Sequence, residues 1–384
     1  MLRWFGIDLH KNFFQVCILD ESGRVLEESR HSMSPSAVDS FRCGLTTSDT
    51  VVMEASALAW PMYDLLNGRA GRVIVVDPYR TKLICQSRIT TDRLSALRLA
   101  QLAQDKHLAE VWVPDAETRA MRELVGFRQQ LTKISTKMSN ISGNLSRCEG
   151  LRSADPGERL VGTASEERAM IGECARDIKE AVAQKEQLVE AVFAQRVLGD
   201  PRALSLLRVP GVGPYAAIVV LAAAGDIKRF GSAKQFASYT GMVPRVHISG
   251  EASYSGGITK AGRRELRHAL IQAAWAALKT DRRLAAFFGK LALRRGEGKA
   301  IVAVARKLAV RIWHLLTEGT ADGLMAGAAL QRKVHRLLSA SSAGNAKPGR
   351  GSAGKVLAKI AALGIPTNNV VQEQARANAR KLLL

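Results

Sequence analysis

Cysteine is scarce in this sequence, and long apolar runs are lacking. The 384 residues include five cysteines, an odd number with no C-x-x-C pair, which argues against a disulfide framework and a structural zinc site. No apolar run approaches the roughly 20 residues that a membrane-spanning helix needs. An acid, Asp8, interrupts the N-terminal stretch, so we expect no signal peptide and a cytoplasmic location.

Acidic residues are also in deficit. Lys and Arg number 56 against 35 Asp and Glu, which gives a formal net charge of +21. Hydrophobic residues make up 47% of the chain, a globular proportion that excludes a wholly disordered or fibrous chain. The basic excess predicts a polyanionic partner, for which nucleic acid is the usual candidate. An acidic membrane surface is the competing partner, but we expect no membrane partner because the apolar runs are too short to span a bilayer.

The first part of the chain, residues 1–104, alternates between strands and helices. Short β-branched and aromatic stretches form a three-strand meander, and the predicted order is βββαβαβα. A doubly wound nucleotide-binding fold would alternate strands and helices from the start. The order therefore predicts an α/β N-terminal domain of the ribonuclease-H-like class.

The rest of the chain divides into three regions. Residues 105–199 carry apolar residues at helical spacing and predict a helical coiled-coil hairpin, with dimerisation or internal packing as its role. Residues 200–320 predict an all-α C-terminal module. Residues 321–384 form a basic tail with ten Lys and Arg, Lys333 among them, and a low-complexity, flexible centre at 339–352. We expect this tail to hold phosphate backbones.

Three acids stand at element ends. Asp8 ends the first predicted strand, Glu54 ends the fourth, and Asp92 opens a helix. In a ribonuclease-H-like sheet these positions converge at one edge, and carboxylates gathered there repel one another unless cations lie between them. Such clusters hold two Mg²⁺ ions about 3.5–4 Å apart in phosphoryl-transfer enzymes. The alternative is that the three are solvated acids, with Asp92 a mere helix cap.

The third region has two features suited to nucleic acid. A Pro-Gly-x-Gly turn with Gly211 and Gly213 opens an apolar helix, as in a helix-hairpin-helix, where backbone N–H groups approach a phosphate. The same glycines would also serve an ordinary helix–helix turn. Residues 260–311 contain fourteen Lys and Arg against three acids, which predicts basic helix faces. The candidate nucleic-acid contacts are Gly211, Gly213, Lys260, Arg263, Arg264, Arg267, Arg306 and Lys307.

Three stretches carry a family resemblance. Residues 6–12 (GIDLHKN), 53–56 (MEAS) and 91–96 (TDRLSA) resemble the DEDD-type insertion-sequence transposases, which include the Piv DNA invertases. The resemblance implies a RuvC-like nuclease domain in which Asp8, Glu54 and Asp92 are the first three catalytic and metal-binding acids. The family's fourth acid lies three residues after the third, where this sequence has Ser95. A serine carries no charge, so the second Mg²⁺ site is expected to be weakened.

The same resemblance extends to the third region. A Ser-Gly pair before a Gly-Ile-(Ser/Thr)-Lys-x-Gly stretch carries the family's catalytic serine, which maps onto Ser249, with Ser253 and Ser255 as alternatives in register. The family further implies DNA as substrate, a structured guide RNA, and a homodimer or tetramer in which metal site and serine come from different protomers. From the residues alone, a Ser-Gly loop among basic helices could equally contact phosphate.

The sequence thus predicts a transposase or site-specific recombinase that cuts and rejoins DNA through Mg²⁺ and a serine nucleophile. Two alternatives stay open. One is a RuvC-like structure-specific endonuclease that uses water in place of Ser249. The other is a catalytically weakened nucleic-acid-binding protein, suggested by Ser95. Recruitment of Asp105 as a substitute fourth acid is the least favoured way to complete the tetrad.

Overall fold

The computed structural model describes residues 2–85, 91–152, 164–249, 252–325, 330, 332–334 and 336–338. The chain forms two compact units, Met1–Pro114 and Asp115–Leu384. The low-complexity centre predicted at 339–352 lies outside the described residues. Within the described ranges, every helix is too short or too polar to cross a membrane.

The first unit is a mixed α/β domain. Its elements, in chain order, are β1 (Arg3–Leu9), β2 (Phe13–Leu19), β3 (Val25–Ser32), α1 (Pro35–Cys43), β4 (Asp49–Glu54), α2 (Ala59–Leu66), β5 (Arg72–Val76), α3 (Pro78–Cys85) and α4 (Asp92–Gln104). The predicted order is found with one addition, the short helix α3. Its start follows from capping, because the Asp77 carboxylate accepts the Tyr79 N–H at 2.9 Å. Helix α3 lacks a clear apolar face, so periodicity could not reveal it.

A five-stranded sheet, in the order β3-β2-β1-β4-β5, forms the centre of this unit. Strand β2 runs antiparallel to β1 and β3, while β1, β4 and β5 are parallel. Successive side chains of a strand point to opposite faces. Phe5 and Ile7 of β1 accordingly pack with α1 and α2, whereas Gly6 between them faces α4.

The second unit is mostly helical. Its elements are α5 (Ala116–Arg152), α6 (Ala164–Gly199), α7 (Pro201–Leu206), α8 (Pro214–Ala224), a single 3₁₀ turn (Ile227–Arg229), α9 (Ala233–Tyr239), β6 (Pro244–Ser249), β7 (Ala252–Ile258), α10 (Arg264–Leu278), α11 (Arg282–Arg295) and α12 (Glu297–Glu318). Helices α5 and α6 pack antiparallel, since Arg128 bonds Glu190 and Thr132 bonds Glu186. Helix α8 is apolar on every side and lies within the core of the unit.

The prediction of an all-α C-terminal module is wrong. Strands β6 and β7 form an antiparallel hairpin between α9 and α10. The sequence of β6, PRVHIS, places Val and Ile two residues apart, and a Ser-Gly pair follows. This is the alternation of a β-strand before a turn. The abundance of helical patterns on both sides masked a strand signal of only six or seven residues.

Candidate functional site

Two predicted site acids lie on neighbouring parallel strands. Ile7 of β1 pairs with Met53 of β4, so Asp8 and Glu54, the next residue on each strand, occupy equivalent positions in the pairing. Because the strands are parallel, their carboxyl ends reach the same edge of the sheet. The structure therefore places Asp8 and Glu54 side by side at that edge, as the sequence predicted.

Helix α4 carries the third acid to this edge, and Gly6 allows it. A Cβ atom built on Gly6 would lie 1.9 Å from the backbone oxygen of Ala96 and 2.6 Å from the nitrogen of Ala100. Strand and helix thus touch backbone to backbone, with the small residues Ala96 and Ala100 fully buried between them. Because Asp92 is the first residue of α4, this close contact sets its position over the end of β1.

A histidine completes the cluster. His10 Nε2 lies 3.4 Å from Asp8 Oδ2 and 3.3 Å from Asp92 Oδ1. One ligand atom from each of the three residues falls within 4.8 Å of the other two. The His10 Nε2 atom is itself buried and makes no well-aligned hydrogen bond with any described residue. Two carboxylates and an imidazole nitrogen form a donor set that fits a divalent cation.

The electrostatics of the cluster favour a cation. Burial, followed by the opposing charge of His10 and then the like charge of Asp92, leaves the pKa of Asp8 raised above its ordinary value. The pKa of Glu54 is raised first by burial and then by the charges of Asp8 and Asp77. Carboxylates with raised pKa values are held close together at a cost, and a bound cation relieves that cost.

Asp77 is a further acid at this edge of the sheet that the sequence analysis missed. It directly follows β5, the next parallel strand along the sheet. The rule that selected Asp8 and Glu54, an acid directly after an apolar strand, would also have found it. Its carboxylate caps α3 and its charge acts on Glu54. His10 gave no such signal, because only the turn after β1 folds its ring back onto the acids.

Ser95 lies one helical turn after Asp92 on α4, and its N–H bonds the Thr91 carbonyl at 2.9 Å. It is half-buried. Asp105 caps the other end of the same helix, about 20 Å from Asp92 at 1.5 Å per residue. Helix geometry therefore excludes Asp105 as a substitute fourth acid.

In the second unit, the two glycines of the predicted phosphate-binding turn differ. Gly211 has a φ of +78°, and a Cβ there would lie 1.8 Å from the Ala273 oxygen, so this glycine is required for packing against α10. Gly213 caps the start of α8, and its Cβ position is open. Only Gly213 has the free space that the approach of a phosphate requires.

The predicted basic contacts also separate into two groups. Lys260, Arg264, Arg306 and Lys307 are exposed, and Arg263 is half-buried. Arg267 instead donates to the backbone oxygens of Thr240 and Lys260, each at 3.2 Å. Arg267 therefore braces the turn before α10, whereas the exposed residues are accessible to a polyanion.

Ser249 is the last residue of β6 and pairs with Ala252 of β7. It therefore stands at the turn end of the hairpin. The alternative serines, Ser253 and Ser255, lie farther along β7, where they pair with Ile248 and Val246. Among the three, Ser249 occupies the position nearest the hairpin turn.

Comparisons with known proteins agree with this layout. The profile of a DEDD-type transposase family of the IS110 group matches residues 5–145, and that of the "Transposase IS116/IS110/IS902 family" matches residues 203–289. The transposase for insertion sequence element IS1111A of Coxiella burnetii is 30% identical over 338 residues, covering 82% of this chain and 90% of the relative.

Two further relatives extend the likeness. A probable family 20 transposase of Pseudomonas aeruginosa is 30% identical over 337 residues, 83% of this chain and 98% of the relative. The pilin gene-inverting protein of Moraxella bovis is 24% identical over 323 residues, 79% of this chain and 92% of the relative.

An α/β unit with an acidic edge, followed by a helical unit with exposed basic residues, fits an enzyme that acts on DNA. The matches are more specific than that. The chain belongs to the IS110/IS116 family of DEDD-type transposases, and it is a DNA transposase or recombinase of an insertion sequence.

Proposed function

We propose that this transposase cleaves and rejoins DNA strands with Mg²⁺ held at Asp8, Glu54 and Asp92. The observation that carries the proposal is the meeting of Asp8, His10 and Asp92 ligand atoms within 4.8 Å. A divalent cation bound there would supply positive charge to the scissile phosphate and its leaving oxygen. Asp8 and Asp92 hold that charge, Glu54 adds to it from the neighbouring strand, and Gly6 keeps α4 in place.

The replacement of the fourth acid changes the expected stoichiometry. Ser95 offers a neutral hydroxyl where the family has a carboxylate, so the second Mg²⁺ binds more weakly than the first. His10 offsets part of this loss, because its Nε2 lies beside Asp92. We assign the first unit to the ribonuclease-H class on the sheet order β3-β2-β1-β4-β5, in which β2 runs opposite to the other four strands.

Ser249 is the proposed nucleophile. Its Oγ gives up its proton and attacks the phosphorus, a Ser–O–P bond forms, and the P–O bond to the leaving strand breaks. The leaving oxygen takes up one proton, which balances the proton that the serine hydroxyl lost. A hydroxyl of the receiving strand later attacks the same phosphorus and releases the serine, so the bond energy is conserved. The position of Ser249 at the turn end of a hairpin, followed by the exposed Lys260 and Arg264, supports this role.

The partners follow from the family. We propose DNA at the element ends and target, a structured guide RNA, and a homodimer or tetramer in which the antiparallel pair α5 and α6 serves as a coiled-coil contact. The metal site and the serine would then come from different protomers. A DNA substrate further implies a cytoplasmic enzyme, and that location stays a prediction.

A trapping experiment tests the serine mechanism. Purified protein is incubated with Mg²⁺ and a plasmid carrying the coding region with its native flanks, then denatured and analysed for protein–DNA adducts. We expect an adduct with the wild type and none with Ser249→Ala, while Ser253→Ala and Ser255→Ala retain it. Full strand exchange by Ser249→Ala would contradict the mechanism, and cleavage without any adduct would favour the water-dependent endonuclease.

Ser95 favours one second candidate, a protein that binds DNA without cutting it. Restoring the family's acid with Ser95→Asp separates the two. If Mg²⁺-dependent cleavage rises about tenfold or more, the natural chain is a weakened transposase. If neither form cuts any substrate while both bind DNA, the binding-only function is correct.

A further inference from the structure

A lysine of the predicted tail lies against the turn that precedes α8. Lys333 Nζ donates to three backbone oxygens, those of Leu207 at 2.9 Å, Val209 at 2.9 Å and Val212 at 2.8 Å. An ammonium group has three hydrogens, and three carbonyls satisfy all of them. Among the described residues, no carboxylate forms an ion pair with Lys333. We refer to the three oxygens as the carbonyl cradle.

The cradle follows from the geometry of the turn. Helix α7 ends at Leu206, and Gly211 with its φ of +78° turns the chain into α8. The carbonyls at the end of a helix and in such a turn lack helical partners, so they need donors from elsewhere. Within the turn, only Val209 among the three receives a backbone N–H, from Val212 at 3.1 Å. The remaining acceptor capacity converges on one point.

The segment that supplies Lys333 is held firmly. Leu330, Val334 and Leu337 are 2%, 6% and 0% exposed and belong to the same core as α8. Their spacing of four and three residues is that of one helix face. Just upstream, the Met325 N–H bonds the Arg208 carbonyl at 2.7 Å. The segment that carries Lys333 is thus anchored in the core, and this anchoring fixes the position of the ammonium in the carbonyl cradle.

The chemistry of the cradle is that of a site for a monovalent cation. Rings of backbone carbonyls hold K⁺ by replacing its hydration shell, and a lysine ammonium is a compact point charge similar in size to K⁺. Burial lowers the pKa of Lys333 to about 8, so the charged form still predominates at neutral pH.

We propose that the carbonyl cradle of Leu207, Val209 and Val212 is a K⁺-type cation site that the chain fills with its own Lys333 ammonium. The intact protein therefore needs no bound ion to hold the turn. Removal of the ammonium opens the cradle to K⁺ or NH₄⁺, whereas tetramethylammonium is too large to enter. The proposal concerns the second unit alone and is independent of the strand-cleavage mechanism.

The test compares melting temperatures in potassium chloride and in tetramethylammonium chloride at equal ionic strength. Lys333→Met removes the charge and keeps an unbranched apolar stem, and Arg332→Met, an exposed neighbour, is the matched control. We expect wild type and Arg332→Met to melt at the same temperature in both salts. Lys333→Met should melt about 5 °C lower in tetramethylammonium and recover at least half of that loss in K⁺ or NH₄⁺.

Two results would overturn the proposal. One is a Lys333→Met protein with the same melting temperature in all three salts. The other is a wild type that gains as much from K⁺ as the variant does. If Lys333→Met proves too unstable to purify, nitrogen-15 NMR of lysine ammonium groups in the wild type decides. A slowly exchanging ammonium signal that is lost in Lys333→Arg supports the cradle, and the absence of any such signal refutes it.

Discussion

The acidic edge of the first unit and the turns around α8 in the second unit both bring together oxygen atoms that carry full or partial negative charge. The two regions differ in how that charge is compensated. At α8, the chain supplies its own cations: Lys333 fills the carbonyl cradle, Arg122 bonds the Ala222 oxygen at 2.7 Å, and Arg229 bonds the Ala224 oxygen at 2.8 Å. At the acidic edge, His10 is the one basic side chain in the described part of the chain that lies within ion-pair distance of Asp8 and Asp92.

This difference distinguishes charges that stabilise the fold from charges that are available to bind a ligand. Around α8, the chain's own cations donate to these carbonyl oxygens, so the region needs no ligand once the protein has folded. Burial lowers the pKa of Arg122 to about 10. Where acids lie beside one another with raised pKa values, the arrangement is typical of a site that binds a ligand. Four variants test this comparison, beginning with the largest expected effect.

Gly6→Ala should damage the acidic edge most. The new methyl would meet the Ala96 oxygen at 1.9 Å, which forces α4 away from β1 and separates Asp92 from Asp8. We expect a loss of about 3 kcal/mol in the free energy of unfolding, measured by urea denaturation. Gly44→Ala is the control, since its nearest contact is 3.4 Å away at a negative φ. An unchanged stability for Gly6→Ala would contradict the close contact.

Arg122→Met should weaken the compensated region. The Ala222 carbonyl loses its donor, and a buried acceptor without a partner costs about 2 kcal/mol. The same urea titration measures the effect, with Arg264→Met as an exposed control. A loss no larger than that of the control would show that α8 does not depend on supplied cations.

Asp8→Asn should stabilise the metal-free protein, whereas the two preceding variants should destabilise it. A raised pKa means that the folded chain binds more protons than the unfolded chain between the ordinary and the raised value, so stability falls as pH rises through that window. The penalty is fully present at pH 7, and its removal should raise the melting temperature by about 2–4 °C.

The melting curves for Asp8→Asn are recorded in EDTA between pH 4 and pH 8, with the exposed Asp39→Asn as control. The gain should shrink as the pH falls toward 4, because the wild-type carboxyl takes up its proton over that range. A variant less stable than the wild type at pH 7 would mean that the acids are not in mutual repulsion.

His10→Ala should have the smallest effect. Its Nε2 lies beside both carboxylates, so its loss should weaken Mn²⁺ binding about tenfold without abolishing it. Calorimetric titration measures the affinity, and His268→Ala, an exposed histidine, is the control. Equal Mn²⁺ affinities in the two variants would show that His10 does not contribute to metal binding.

Much of this layout can be read from the sequence, and the exceptions share a cause. Apolar runs located the central strands, and the strand-end rule found Asp8 and Glu54. What failed were short or non-local signals: α3 has no apolar face, the β6–β7 hairpin is brief, and His10 reaches the acids only through a turn. Lys333 was counted with the tail cations expected to hold phosphates. Only the packing of Leu330 and Val334 directs it at carbonyls.

Calorimetric titration of the metal-free protein with Mn²⁺, comparing Asp92→Asn with Asp105→Asn, tests the central claim most directly. Both variants lose one carboxylate from the same helix, at its opposite ends. The account predicts that Asp105→Asn binds like the wild type and that Asp92→Asn binds at least tenfold more weakly. Identical affinity and stoichiometry in the two variants would contradict a metal centre at the acidic edge.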